Sequence, residues 1–279
     1  MLRLTASIMQ TVHEPSFKEG LKKVADMGYE GFEFLKDSPM PNANWLPYLE
    51  TPKAAKDVLR EAGLRLAGIY VGADLIAEEK FAAEVEQAVS TARFVSSFED
   101  DERNLIVGPP LGRPDPRPAF GRPARYGLLD VEYERMAEGL NQIGKACVEM
   151  GVTCLFHPHI NSPIERRHEI NHLLRLTNPA WVQICFDTGH MYAGGYDPAD
   201  GVKEWGHLIR YLHLKDFKDG TYVDLGTGEI DNGRLFQAIR EQGISGWVLP
   251  EVPNNTDPLG AARRNYEFIK KHLIEGEAI

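Results

Sequence analysis

A six-residue phrase recurs four times in this chain: the end of an amphipathic helix, a glycine, then the start of an apolar run. It stands at Val24–Tyr29, Leu59–Leu64, Cys147–Val152 and Ile239–Ile244, with the glycine at Gly28, Gly63, Gly151 and Gly243. Glycine just past a helix end takes up the left-handed conformation that stops the helix at no Cβ cost. Strands joined through a helix pair in parallel, because a parallel pair needs a crossover connection. Four copies of helix–Gly–strand therefore demand a parallel sheet covered by helices.

Taken in order, apolar runs predict strands near Leu4–Met9, Gly31–Leu35, Arg65–Val71, Asn104–Val107, Val152–Phe156, Val182–Phe186, Tyr211–Leu214 and Trp247–Leu249. Amphipathic periodicity predicts helices near Ser16–Met27, Thr51–Ala62, Glu78–Phe98, Leu129–Met150, Glu165–Thr177, Pro198–Gly206, Gly233–Gln242 and Asp257–Ile274. Eight of each alternate strictly. The 279 residues suit one α/β chain of this kind, since a (β/α)8 TIM barrel takes roughly 250 residues. No linker divides residues 1–279 into smaller domains. An open doubly wound sheet is the alternative, but no Gly-rich phosphate loop follows the first strand.

Composition narrows the partners. A formal charge of −10 disfavours nucleic acid, whose affinity comes largely from Lys and Arg. The three cysteines, Cys147, Cys154 and Cys185, form no CxxC pair. Two lie inside predicted strands and read as small buried hydrophobes of a reducing cytoplasm. No signal peptide is visible, and no apolar run reaches the ~18 residues that span a bilayer. A cytoplasmic protein with no membrane partner is expected. The longest irregular segment, Pro109–Leu128, carries six prolines and four arginines, at Arg113, Arg117, Arg122 and Arg125. In a barrel this loop lies on the catalytic face. It reads either as a lid or oligomer contact, or as an arginine-bearing lid for an anionic substrate group.

The chemistry-bearing residues cluster where strands end. The fifth strand runs out into His157 and His159, with Glu165 beyond. The sixth ends in Asp187, followed by Thr188, Gly189 and His190, the seventh in His213 and Lys215, and the eighth in Glu251. Residues i and i+2 of a strand face one way, so His213 and Lys215 share a side. Asp187, His213 and Glu251 thus leave three consecutive strands at equivalent depth. Mixed carboxylate and imidazole donors suit one divalent metal ion, Mn, Mg, Co or Zn, with positions left open. Glu33 in the second strand and His13 after the first are candidates for substrate contact, each against a structural role. Trp45 and Tyr48 either cover the site or simply pack. His168, His172 and His207 fall on predicted helices and read as solvated faces.

With these motifs in place, the chain resembles the sugar isomerase/epimerase superfamily with a xylose-isomerase-like barrel, which includes keto-sugar epimerases, inosose dehydratases and endonuclease IV. The likeness is strongest from Gly151 to Pro253. It implies that Asp187, His213 and Glu251 bind metal and that His190 contacts substrate or metal. Epimerases of this group carry a metal-binding Glu where this chain has His157. The run from His157 through His159 to Glu165 looks instead like the inosose-dehydratase branch. The fourth ligand is then Glu165 folding back, or His157 or His159 directly; a third carboxylate favours Glu165, against an ordinary first-turn helix carboxylate.

The resemblance implies proton removal next to a carbonyl, with Glu251, His157 and Lys215 as the catalytic groups and His159, His190, Glu33 and His13 toward substrate. The expected activity is a divalent-metal-dependent isomerase or epimerase acting on a keto-sugar or sugar phosphate. A lyase of the inosose-dehydratase type, or one eliminating from 3-keto-glycosides, is the alternative, and a non-catalytic binding barrel the third. Endonuclease IV-like repair would need more ligands and a basic face. A small carbohydrate substrate and a homodimer or homotetramer are expected.

Overall fold

The structure is a computed structural model that describes residues 1–36, 43–99, 102–109, 128–253 and 255–279. The four arginines expected to arm the Pro109–Leu128 loop lie outside the described residues. Eight parallel strands close into a barrel: β1 (Leu2–Ser7), β2 (Gly31–Leu35), β3 (Arg65–Gly72), β4 (Asn104–Gly108), β5 (Thr153–Phe156), β6 (Val182–Asp187), β7 (Ile209–Leu214) and β10 (Gly246–Pro250). A two-stranded antiparallel hairpin, β8 (Asp216–Lys218) and β9 (Thr221–Val223), springs from the end of β7.

The helices are α1 (Ile8–Thr11), α2 (Phe17–Met27), α3 (Pro52–Ala62), α4 (Phe81–Ser96), α5 (Asp130–Glu149), α6 (Arg167–Leu176), α7 (Thr188–Ala193), α8 (Pro198–Trp205), α9 (Asn232–Glu241) and α10 (Pro258–Ile269). The four repeat glycines all have positive φ, between 62° and 105°, which is the helix-stopping conformation their spacing predicts. Apolar faces of the helices cover the barrel, and a continuous core links Leu4, Phe32, Ile69, Leu105, Phe156, Ile184, Leu212 and Val248.

Short elements went unread in the sequence, among them α1, α7 and the β8–β9 hairpin. The first also shifts β1 two residues back from its expected position. Ser7 ends the strand because its Oγ accepts from the Met9 N–H at 3.2 Å while Gln10 Oε1 accepts from the Ser7 N–H at 2.7 Å. That reciprocal cap starts a helical turn at Ile8. The run Leu4–Met9 reads as apolar strand throughout, since a single turn is too short to show a helical period. The aromatics after β2 are packing residues. Trp45 is fully buried and its indole N–H donates to Leu35 O at 2.8 Å, and Tyr48 leans on Phe17.

Candidate active site

The C-terminal strand ends deliver their side chains into one cavity of about 250 Å³. It is lined by apolar Ile8, Met9, Leu35 and Ile160 together with the polar side chains described below.

Each polar group is placed by a local feature. Asp187 both ends β6 and caps α7: its Oδ1 accepts from the His190 N–H at 2.9 Å, leaving Oδ2 for the cavity. Thr188 stitches this end to β7, its Oγ1 donating to Lys215 O and accepting from the Lys215 N–H, each at 2.8 Å. A Cβ on Gly189 would meet Lys215 Cβ at 2.6 Å and the Tyr222 ring at 2.8 Å, so only glycine lets α7 pass so close to β7. The register of the parallel ladder pairs Asp187 with His213 and His213 with Leu249, which fixes the depth at which Glu251 emerges.

The ligating atoms of Asp187, His213 and Glu251 all lie within 4.8 Å of one another. His213 offers Nδ1, 3.7 Å from Asp187 Oδ2 and 3.8 Å from Glu251 Oε2. Its other ring nitrogen is 3.1 Å from Glu33 Oε2, the carboxylate–histidine pairing that orients a metal-binding imidazole. Glu251 is steadied by Ser7, whose hydroxyl donates to Oε1 at 3.1 Å. His157 Nε2 lies 3.2 Å from His213 Nδ1 and 3.5 Å from Asp187 Oδ2, while its buried Nδ1 has no hydrogen-bond partner among the described residues. Two carboxylates, an imidazole tied back by a third carboxylate, and the Nε2 of a second imidazole beside them fit a divalent cation of the hard-to-borderline kind.

Lys215 sits inside the same cluster. Its Nζ donates to Asp187 Oδ2 at 2.5 Å and lies 3.0 Å from Glu251 Oε2. Burial opposes its charge, but those two carboxylates overcome it and raise the Lys215 pKa. Burial likewise opposes charge on Asp187 and Glu251, yet Lys215 and the imidazoles around them hold both carboxyls below their usual range. Burial drives His157 and His190 to lower pKa values and His159 down to about 3, so all three are neutral imidazoles. His213 goes the other way: burial again opposes charge, and the neighbouring Cys185 and Glu33 raise its pKa well above the ordinary imidazole.

Of the residues expected at the site, Glu33, His157, His159, His190, His213, Lys215 and Glu251 line the cavity, and Asp187 is fully buried against Lys215. Two do not join them. His13 is exposed and lies outside the cavity, because the turn α1 carries the chain away from the mouth. Glu165 is buried but faces its own loop: its Oε2 accepts from the Asn161 N–H at 2.8 Å and its Oε1 lies 3.5 Å from Arg166 Nε. It is outside every group of potential ligands found among the described residues. The third carboxylate of the cluster is Glu33, expected toward substrate and placed 3.1 Å from His213 Nε2. His168 and His207 are exposed as expected, whereas His172 stacks on Tyr133 at 4.2 Å.

Two aromatic site residues went unrecognised. Tyr222, on the hairpin, brings its hydroxyl within 2.8 Å of His190 Nδ1 and its ring beneath Lys215. Tyr70 reaches the cavity from β3 with a buried hydroxyl that has no partner among the described residues. A Cβ on Gly108 would collide with that hydroxyl, so the glycine ending β4 is the one sequence signal that made room for it.

A family profile described as a xylose isomerase-like TIM barrel matches residues 21–272. Inosose dehydratase of Geobacillus kaustophilus is 26% identical over 278 residues, covering 91% of this chain and 85% of that protein. Inosose dehydratase of Mesomycoplasma hyopneumoniae is 24% identical, covering 91% of this chain and 88% of its own length. Among solved structures, L-ribulose 3-epimerase superposes with a TM-score of 0.77 at 18% identity, covering 99% of this chain and 96% of that one. The 3-keto-D-glucoside 4-epimerase of E. coli superposes with a TM-score of 0.75 at 18% identity, covering 97% and 99%.

Proposed function

The chain belongs to the xylose isomerase-like TIM barrel family, and from that premise we propose that it is a lyase that removes water from a cyclic polyhydroxy ketone, of the type that inosose dehydratases act on. The observation that carries this reading is the asymmetry of the acid–base groups. Around the cavity, Glu251 is an ionised carboxylate able to accept a proton, while the end of β5 brings in the imidazole of His157, 3.2 Å from His213 Nδ1, rather than a second carboxylate. A symmetric proton exchange between two like bases is not what such a pair is built for. The full-length sequence relatives named dehydratases support the same reading.

Asp187, His213 and Glu251 would hold one divalent ion, with His157 beside them. When bound, such an ion polarises a substrate carbonyl and lowers the energy of the enolate. The residues supply the rest. Glu251 takes the proton from the carbon next to the carbonyl. The electron pair of that C–H bond forms the new C=C as the neighbouring C–O bond breaks, and the departing oxygen takes up the proton collected by Glu251, leaving as water and restoring the carboxylate. Lys215, a permanent ammonium whose pKa is raised, stabilises the negative charge on oxygen as it develops. His159, His190 and Tyr222 face the hydroxyls of the ring, and apolar Ile8, Met9 and Leu35 keep bulk water from the reacting carbon.

Epimerisation on the same centre is the second reading. The neutrality of His157 favours it, because a neutral imidazole can accept a proton and so serve as the second base that exchange at both faces of a carbon needs. The two are separated by incubating the metal-loaded protein with a panel of keto-inositols and keto-sugars in deuterated water. Loss of 18 mass units from the product, with an alkene signal by NMR, is the outcome expected. Deuterium uptake with no loss of water would establish the epimerase, and no change in any panel member would sink both.

A further inference from the structure

Within the metal centre just proposed, one residue already holds the place of a cation. The Lys215 ammonium is 2.5 Å from Asp187 Oδ2 and 3.0 Å from Glu251 Oε2. These two carboxylates, with His213, are the same groups that come together as a potential metal site. The lysine is buried and its backbone is clamped on both sides by the Thr188 hydroxyl, so the side chain is aimed at this spot by the fold. We propose that Lys215 is the resident counter-cation of the site and competes with the divalent metal for Asp187 and Glu251, which makes metal loading an exchange of cations.

The inference rests on the metal reading above and adds a direction to it. Two carboxylates brought together out of water repel each other unless a positive charge lies between them. Lys215 supplies that charge before any metal arrives, and so stabilises the metal-free protein. A divalent ion entering the same carboxylate pair meets a like charge at contact distance in a low-dielectric site, where such repulsion is strong. The ammonium must move, and other seats lie within its reach: His190 Nε2 at 3.4 Å and the face of Tyr222 at 5.5 Å. Metal affinity is therefore weaker than the three ligands alone would give.

The test is equilibrium dialysis of Mn²⁺ against the full chain, stripped with EDTA, for the wild type, Lys215→Met, Lys215→Gln and Asp187→Asn. Both lysine variants are expected to bind Mn²⁺ at least about tenfold more tightly than the wild type, the scale on which groups contacting metal ligands alter affinity. Unchanged or weaker binding in both, while Asp187→Asn still loses the ion, would overturn the competition and leave the metal site standing. Equal binding by the wild type and Asp187→Asn would remove the metal site, and this inference with it. A second readout needs no variant to bind metal: the ¹⁵N resonance of the Lys215 ammonium, assigned by its loss in Lys215→Gln, is expected to shift when diamagnetic Mg²⁺ or Zn²⁺ saturates the wild type. A resonance that stays put at saturation would refute the exchange.

Discussion

At the residue scale, the site is a balance of imidazoles held neutral and one held charged. This has a consequence for stability. In the metal-free protein His157, His159 and His190 all bind protons less readily than an ordinary histidine, His159 with a pKa of about 3. As the pH falls below the unfolded value of about 6.5, the unfolded chain takes up these protons and the folded chain does not, so stability falls with the pH. His213, whose pKa is raised, contributes stability that is complete below about 6.5 and is lost only as the pH rises through its folded value. It gives no compensation on the acid side. Urea melts in EDTA should therefore show stability dropping between pH 6 and 5 by at least one proton's worth, about 1.4 kcal/mol per pH unit. His159→Asn should reduce that slope. A wild-type curve flat across this range would mean that the imidazoles are not held neutral. The same residues show what a sequence can tell. Asp187, His213 and Glu251 were legible because each sits where an apolar run stops. Glu165 was not, because its partner is a backbone N–H of its own loop, and no residue pattern announces that.

At the scale of elements, the β8–β9 hairpin is what turns a strand end into a walled site, and Asp216 holds it. This fully buried carboxylate accepts from the backbone N–H groups of Phe217, Gly226, Gly228 and Ile230 and from the side-chain amide of Asn232. A Cβ on Gly228 would lie 2.1 Å from Asp216 Oδ1, so the loop can wrap the carboxylate only because a glycine stands there. Asp216→Asn replaces one acceptor oxygen by a donor and sets it against two or three N–H groups. Each buried donor left unmet costs about 1–3 kcal/mol, so a loss of about 3–5 kcal/mol is expected, together with faster amide exchange over residues 216–232. Exchange protection equal to the wild type would show that the loop is held by other contacts. The sequence displayed the motif from His213 to Asp216 but not this use of it. The hairpin strands have three residues each, too few for an alternation to be read, so Tyr222 stayed hidden among turn residues.

At the scale of the whole molecule, the barrel separates the end that reacts from the end that holds. The eight-strand alternation was legible because helix and strand periods differ and each of four helices ends at a glycine; strand limits moved by two residues at β1, where a side-chain cap intervenes at Ser7, and at the start of β7, which begins at Ile209 rather than Tyr211. Closure itself, β1 against β10, joins the two ends of the chain, and no local pattern encodes it. Trp247 is central to that seam. It is 1% exposed, lies beside Arg3 in the ladder with the guanidinium 4.2 Å from its ring, and fills the space where a Cβ on Gly31 would come within 2.6 Å. Because Trp247 enters at the start of its strand, it packs at the end of the barrel opposite the cavity. In such barrels chemistry belongs to the C-terminal face and the other face carries stability. Trp247→Ala removes the largest side chain at the seam and is expected to cost about 3–5 kcal/mol. The affinity for Mn²⁺ should meanwhile stay within about twofold of the wild type, since no ligand moves if the two ends are independent. Chemical denaturation and dialysis on one preparation measure both. If the metal affinity falls along with the stability, the strands transmit strain from one rim to the other, and the site depends on the whole cylinder rather than on the strand ends that form it.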